Sequence, residues 1–115
     1  MQFEVISLAK LKDFELGEDF LKEMVSTYIE EIPMYLRMVQ DSYEKADLET
    51  LKRNLHTLKS HSNTLGMADV TEKLRYWENG LPKKSLEGFN EDFDFIQTRC
   101  SEAVRELKAL EQEGI

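Results

Sequence analysis

The sequence predicts an all-α protein: an antiparallel, up-down four-helix bundle with a short extra N-terminal helix. Apolar residues recur at helical spacing along most of the 115 residues, and no stretch shows the period-2 alternation of a half-buried strand. Only two prolines and five glycines interrupt the chain, mostly between the periodic segments. No internal repeat, low-complexity segment or linker divides it, so residues 1 to 115 read as a single domain.

The elements follow in order. "SLAKLKDFEL" (residues 7 to 16) suits a short first helix with Ser7 as N-cap and Gly17 as its stop. A long second helix runs from Glu18 to Ala46 with Pro33 inside it. Proline removes one hydrogen bond and clashes with the carbonyl at Ile29, so a kink or a break is expected; the apolar period continues across it, which favours the kink. Asp47 is a good N-cap for the next helix, which Gly66 stops. "DVTE" (Asp69 to Glu72) has the form of a capping box and opens a helix through Trp77, closed by Asn79-Gly80 and Pro82. The last helix, 86 to 112, carries Phe89, Phe93, Ile96, Cys100, Ala103, Val104, Leu107 and Leu110 on one stripe. Trp77 and Tyr76 follow helical spacing and read as bundle packing.

Composition narrows the function. With 41% hydrophobic and 33% charged residues the chain reads as an ordinary globular domain, and no apolar run is long enough to span a bilayer. The N-terminus lacks the pattern of a secretory signal, which makes the cytoplasm the expected location, and a starting Met and compact length favour a free-standing domain. A formal charge of −8 argues against nucleic acid, whose binding rests on Lys and Arg neutralising phosphates; a protein partner is expected instead. The lone Cys100 excludes an internal disulfide and reads as a small core residue.

Both histidines, His56 and His61, lie in "LHTLKSHSNTLG" (55 to 66). On a helical wheel Leu48, Leu51, Leu55, Leu58, Ser62 and Leu65 form the core stripe. His56 lies about 130° from its centre, and His61 about 90° away on the opposite flank. His56 is therefore expected to be exposed and His61 partly buried and structural. The rings point about 140° apart, which disfavours a metal pair. The positions three and four residues from His56 hold Lys52, Arg53, Lys59 and Ser60, three cations and no acid. No carboxylate is seen to orient His56 as a general base. What remains is an exposed imidazole, itself a possible nucleophile, in a basic patch that attracts a phosphoryl group, with the small Ser60 leaving room beside it. That chemistry suits a phosphorylatable histidine.

These residues resemble the histidine-containing phosphotransfer (HPt) domains of multistep phosphorelays. The family motif has the form H-x-L-K-G-S/A, then small residues, an apolar residue and Gly. "HTLKSHSNTLG" supplies His56, Leu58, Lys59, Ser60, Ser62, Leu65 and Gly66 in the corresponding places. Ser60 stands where Gly is usual and His61 where Ser or Ala is usual. The likeness begins near Glu18 and includes the mid-helix proline; beyond Gly66 it is one of helix layout. It implies that His56 is the phosphoacceptor and Lys59 a phosphate-stabilising neighbour, in a carrier without kinase activity of its own. It also implies exchange with an aspartate on a receiver domain, of a response regulator or hybrid histidine kinase, that supplies the Mg²⁺; no cofactor is expected on this chain.

Lys52, Arg53, Ser60 and Asn63 are further candidates for contact with the phosphate or the partner. Met34 lies outside the apolar arc of the long helix, which runs from Phe20 and Met24 through Tyr28 and Ile32 to Val39, and Met38 lies on its edge. Both suit an adaptable docking surface for the receiver. The expected molecule is a monomer. The rival reading is a helical adaptor that binds a signalling protein through the same face without phosphorylation; His56→Gln abolishes a relay and spares an adaptor. A small helical enzyme is a distant third, because no second reactive group is seen near His56.

Overall fold

The computed structural model describes residues 5–7 and 17–114. The predicted first helix falls on residues 8–16 and so lies outside the described residues, which form four helices: α1 (Glu18–Glu44), α2 (Leu48–Thr64), α3 (Ala68–Glu78) and α4 (Phe89–Gln112). They alternate in direction. Asn54 meets Met38 and His61 meets Glu31 across α1 and α2, His56 meets Glu78 and Ser62 meets Thr71 across α2 and α3, and Asp92 meets Trp77 while Arg99 meets Asp69 across α3 and α4. The ring runs α1–α2–α3–α4 and closes where α4 packs on α1.

α1 runs through Pro33 without a break. Val25, Ile32, Leu36 and Val39 are buried on both sides of the proline, and this continuous stripe offsets the one lost hydrogen bond. Phe20, at the start of the stripe, is exposed. The helix ends two residues earlier than its sequence pattern, because Ala46 adopts a left-handed φ of 54° and closes the turn: its N–H donates to the Tyr43 carbonyl, and Asp47 N–H to the Ser42 carbonyl. Gly66 repeats the device after α2 at φ 76°, with Gly66 N–H on Asn63 and Met67 N–H on Ser62. Asp47 caps α2 as expected, its carboxylate accepting from Thr50 N–H at 3.3 Å.

α3 corrects the sequence reading. Its N-cap is Met67 and it begins at Ala68, so Asp69 lies within the first turn and no capping box forms; the Asp69 carboxylate accepts from the adjacent Val70 N–H and pairs with Arg99. The buried Met67 side chain and the tight turn from Ser62 set the start instead. α3 has 11 residues against 17 in α2, and residues 79–88 join it to α4. Tyr76 also departs from expectation: Trp77 is buried, but its neighbour is 53% exposed, with the Lys84 ammonium 3.5 Å from its ring centre. Adjacent helical residues point about 100° apart, so only one of them turns inward here. α4 starts at Phe89, three residues later than expected, after the left-handed Gly88.

All eight apolar residues predicted for the α4 stripe are buried. Phe89 stacks on Phe93 and Tyr43 and meets Trp77 edge-on, joining three helices at one end of the core. Burial pushes the Cys100 thiol up to about 12, so it packs and does not react. Val5 and Ile6 are buried as well; their N–H groups donate to the Glu106 carboxylate, and Ser7 N–H donates to the Leu65 carbonyl.

Candidate functional site

The site grows from the contact between α2 and α3. Ser62 and Thr71 are small, buried and polar, and their hydroxyls meet at 2.8 Å, which lets the helices approach closely. About two turns further along both helices, Glu78 is brought to His56. On the other flank of α2, the buried Asn54 donates to the Met38 carbonyl at 3.3 Å and fixes the register with α1. His56 is thereby held between two braced helices.

The His56 side chain is 61% exposed, as the wheel predicts. Its Nδ1 lies 2.6 Å from Glu78 Oε1, while Glu78 Oε2 lies 2.6 Å from the Lys59 ammonium. This corrects the expectation that no carboxylate stands beside His56, and with it the statement that no second reactive group is near. A wheel registers only neighbours on the same helix, and Glu78 arrives from 22 residues away. Only 11% of the Glu78 side chain is exposed, and Oε2 is fully buried against Lys59 in an ion pair, without the alignment of a hydrogen bond. Burial opposes ionisation of Glu78, but the Lys59 ammonium and the His56 ring outweigh it and hold the carboxyl below its usual range. An ionised Glu78 is an acceptor only, so the short contact assigns a proton to Nδ1 and leaves the lone pair on Nε2.

Lys52 and Arg53 are exposed and line a shallow depression with Glu49, His56 and Glu78. Ser60 is exposed one turn beyond the ring. Asn63 shares the His56 face two turns, about 10 Å, along the helix, so it does not reach the ring; it lines a separate depression with Ser7, Gly66 and Arg75. The contacts Met38–Asn54 and Glu31–His61 bracket the level of His56, where Met34 and Met38 are each 39% exposed on α1. His61 is nearly covered. Its Nε2 lies 2.9 Å from Glu31 Oε1, with the Tyr28 and Tyr35 rings 4.4 and 5.9 Å away, so it joins α1 to α2. Among the described residues no group of three or more His, Cys, Asp or Glu side chains is placed to hold a metal, and no helix is long and apolar enough to cross a membrane.

The Hpt domain family model matches residues 23–113, most of the chain. The chain belongs to the Hpt family. Its fold is also that of the crystal structure of histidine-containing phosphotransfer protein B (HptB) from Pseudomonas aeruginosa PAO1, at a TM-score of 0.85 and 15% sequence identity over 96% of both chains. No curated protein matches it. Hpt domains are phosphotransfer carriers rather than kinases and work with receiver domains and histidine kinases in phosphorelays. In this Hpt domain His56 points outward from α2, and Leu58, Ser62 and Leu65 lie in the core.

Proposed function

We propose that this Hpt domain carries a phosphoryl group on Nε2 of His56 and exchanges it with an aspartate of a receiver domain. The observation that carries the proposal is the 2.6 Å contact between Nδ1 and Glu78, which fixes the ring and presents Nε2 to solvent inside a family motif. In the accepting direction the Nε2 lone pair attacks the phosphorus of the receiver's acyl phosphate. The P–O bond breaks, its electron pair leaves with the aspartate carboxylate, and the N–P bond forms. Lys59, with Lys52 and Arg53 on the rim, offsets the charge of the incoming group, and Ser60 leaves space for it. Mg²⁺ belongs to the receiver. The protein acts as a monomer in the cytoplasm, docking through Met34 and Met38 beside His56.

Incubation with a phosphorylated receiver domain and Mg²⁺, read by intact mass and acid lability, tests this. Wild type and His61→Ala gain one acid-labile phosphate and His56→Ala gains none, while Met34→Asp with Met38→Asp slows transfer about tenfold or more, the effect of losing roughly 1.4 kcal/mol of docking. Absence of transfer from a broad panel of receivers, or transfer to His56→Ala, contradicts the proposal. An unchanged rate in the methionine variant removes the docking surface alone.

A further inference from the structure

The buried stripe of α2 is apolar except at Ser62, whose hydroxyl meets Thr71, and at Asn54. Asn54 is 4% exposed, and its amide donates to the Met38 carbonyl of α1 at 3.3 Å, an oxygen that also accepts from the buried Ser42 hydroxyl at 2.8 Å. Taking a carboxamide out of water for one long hydrogen bond gains little stability, and a leucine in its place extends the apolar stripe at lower cost. What the amide supplies is position: a buried asparagine between packed helices fixes their register, because displacement leaves it unpaired. We propose that Asn54 sets the reach from the docking surface on α1 to the phosphoacceptor, so that a receiver gripped by Met34 and Met38 has its phosphorus in line with His56. This rests on the reading of His56 as phosphoacceptor and of the two methionines as the docking surface.

The connection is short. Asn54 and His56 lie within one turn of α2 and their side chains point about 160° apart, so one reaches α1 while the other faces the opposite flank. Met38 gives its carbonyl to Asn54 and exposes its side chain, and Met34, also exposed, lies one turn earlier. From grip to phosphoacceptor the path is therefore the backbone of α1, one side-chain hydrogen bond and less than a turn of helix. Apolar packing between α1 and α2 is non-directional and tolerates a small slide. The hydrogen bond does not, since at 3.3 Å a further shift of about 0.3 Å takes it out of range. The Glu31–His61 contact lies about two turns further along α2 and is partly exposed, so it does not fix the level of His56. In-line transfer is sensitive to such shifts, because the attacking nitrogen must meet the phosphorus along its lone-pair axis. Asn54 is thus a positioning residue that acts through α1 and His56.

The test measures transfer from a phosphorylated receiver domain with Mg²⁺ over a range of receiver concentrations, for wild type, Asn54→Leu and Asn54→Ala. Loading by phosphoramidate, a small donor that needs no docking, is measured beside it. Both variants are expected to keep KM and the phosphoramidate rate within about twofold of wild type while the maximal transfer rate falls about tenfold, less than the loss a misplacement of about 1 Å produces. Met34→Asp with Met38→Asp gives the opposite split, a raised KM. Asn54→Ala leaves room where leucine overpacks, so a fold defect in one variant is recognised by the other. An unchanged maximal rate, or a fall matched by slower phosphoramidate loading, overturns the inference and leaves the carrier reading intact. If wild type takes phosphate neither from receivers nor from phosphoramidate, the carrier reading fails; if the methionine variant transfers at the wild-type rate, the docking reading fails; the inference falls with either.

Discussion

A carboxylate that meets an imidazole and an ammonium at 2.6 Å each makes His56 more than an exposed ring. The proton on Nδ1, the lone pair on Nε2 and the nearby cation are all set by Glu78, a residue the motif does not contain. Ala46 shows the same locality of cause on the stability side. It holds a φ of 54° where Gly66 serves the equivalent turn. The left-handed conformation costs a side-chain-bearing residue about 1–2 kcal/mol, and glycine's greater freedom in the unfolded chain returns part of that. Ala46→Gly is expected to stabilise the protein by about 0.5–1 kcal/mol in urea melts; destabilisation contradicts the strain at this turn. His56, Lys59 and Gly66 were legible in the sequence because their partners are a few residues away. Glu78 was not, since its role depends on how α3 lies against α2, and Ala46 carries no turn signature of its own.

Helices reveal a different balance. The α4 stripe was fully readable, because a long amphipathic segment with one buried face repeats its signal over many turns. The start of α3 was misread because "DVTE" matches a capping box by composition, while the backbone turn around Gly66 and the buried Met67 start the helix earlier. What joins α3 to α4 was also invisible in the pattern: Asp92 accepts from the Trp77 indole N–H at 2.7 Å and pairs with Lys73 at 3.2 Å. The hydrogen bond from Trp77 lowers the Asp92 carboxyl pKa most, with Lys73 adding to it against partial burial. A depressed folded-state value stabilises the fold above the unfolded-state pKa of about 3.9, and that stability is lost as pH falls through the lower, folded value. Asp92→Asn is therefore expected to cost about 1–2 kcal/mol at pH 7, with the gap to wild type closing below about pH 4. Denaturation at a series of pH values checks this, and a gap that widens in acid contradicts it.

Across the whole molecule, a chain of formal charge −8 places Lys52, Arg53 and Lys59 around its one well-exposed histidine among the described residues. The basic rim and the exposed methionines of α1 share the level of His56, where a phosphorylated partner is proposed to dock. The fold class was legible from periodicity alone, and the exposed placement of His56 from the wheel; the braced ring required the packed bundle. Which nitrogen takes the phosphorus is the most direct measurement. With ¹⁵N-histidine-labelled protein phosphorylated by a receiver domain, ³¹P–¹⁵N coupling is expected to Nε2 of His56. Phosphorus on Nδ1, on His61 or on no histidine contradicts a carrier built around the Glu78–His56 contact.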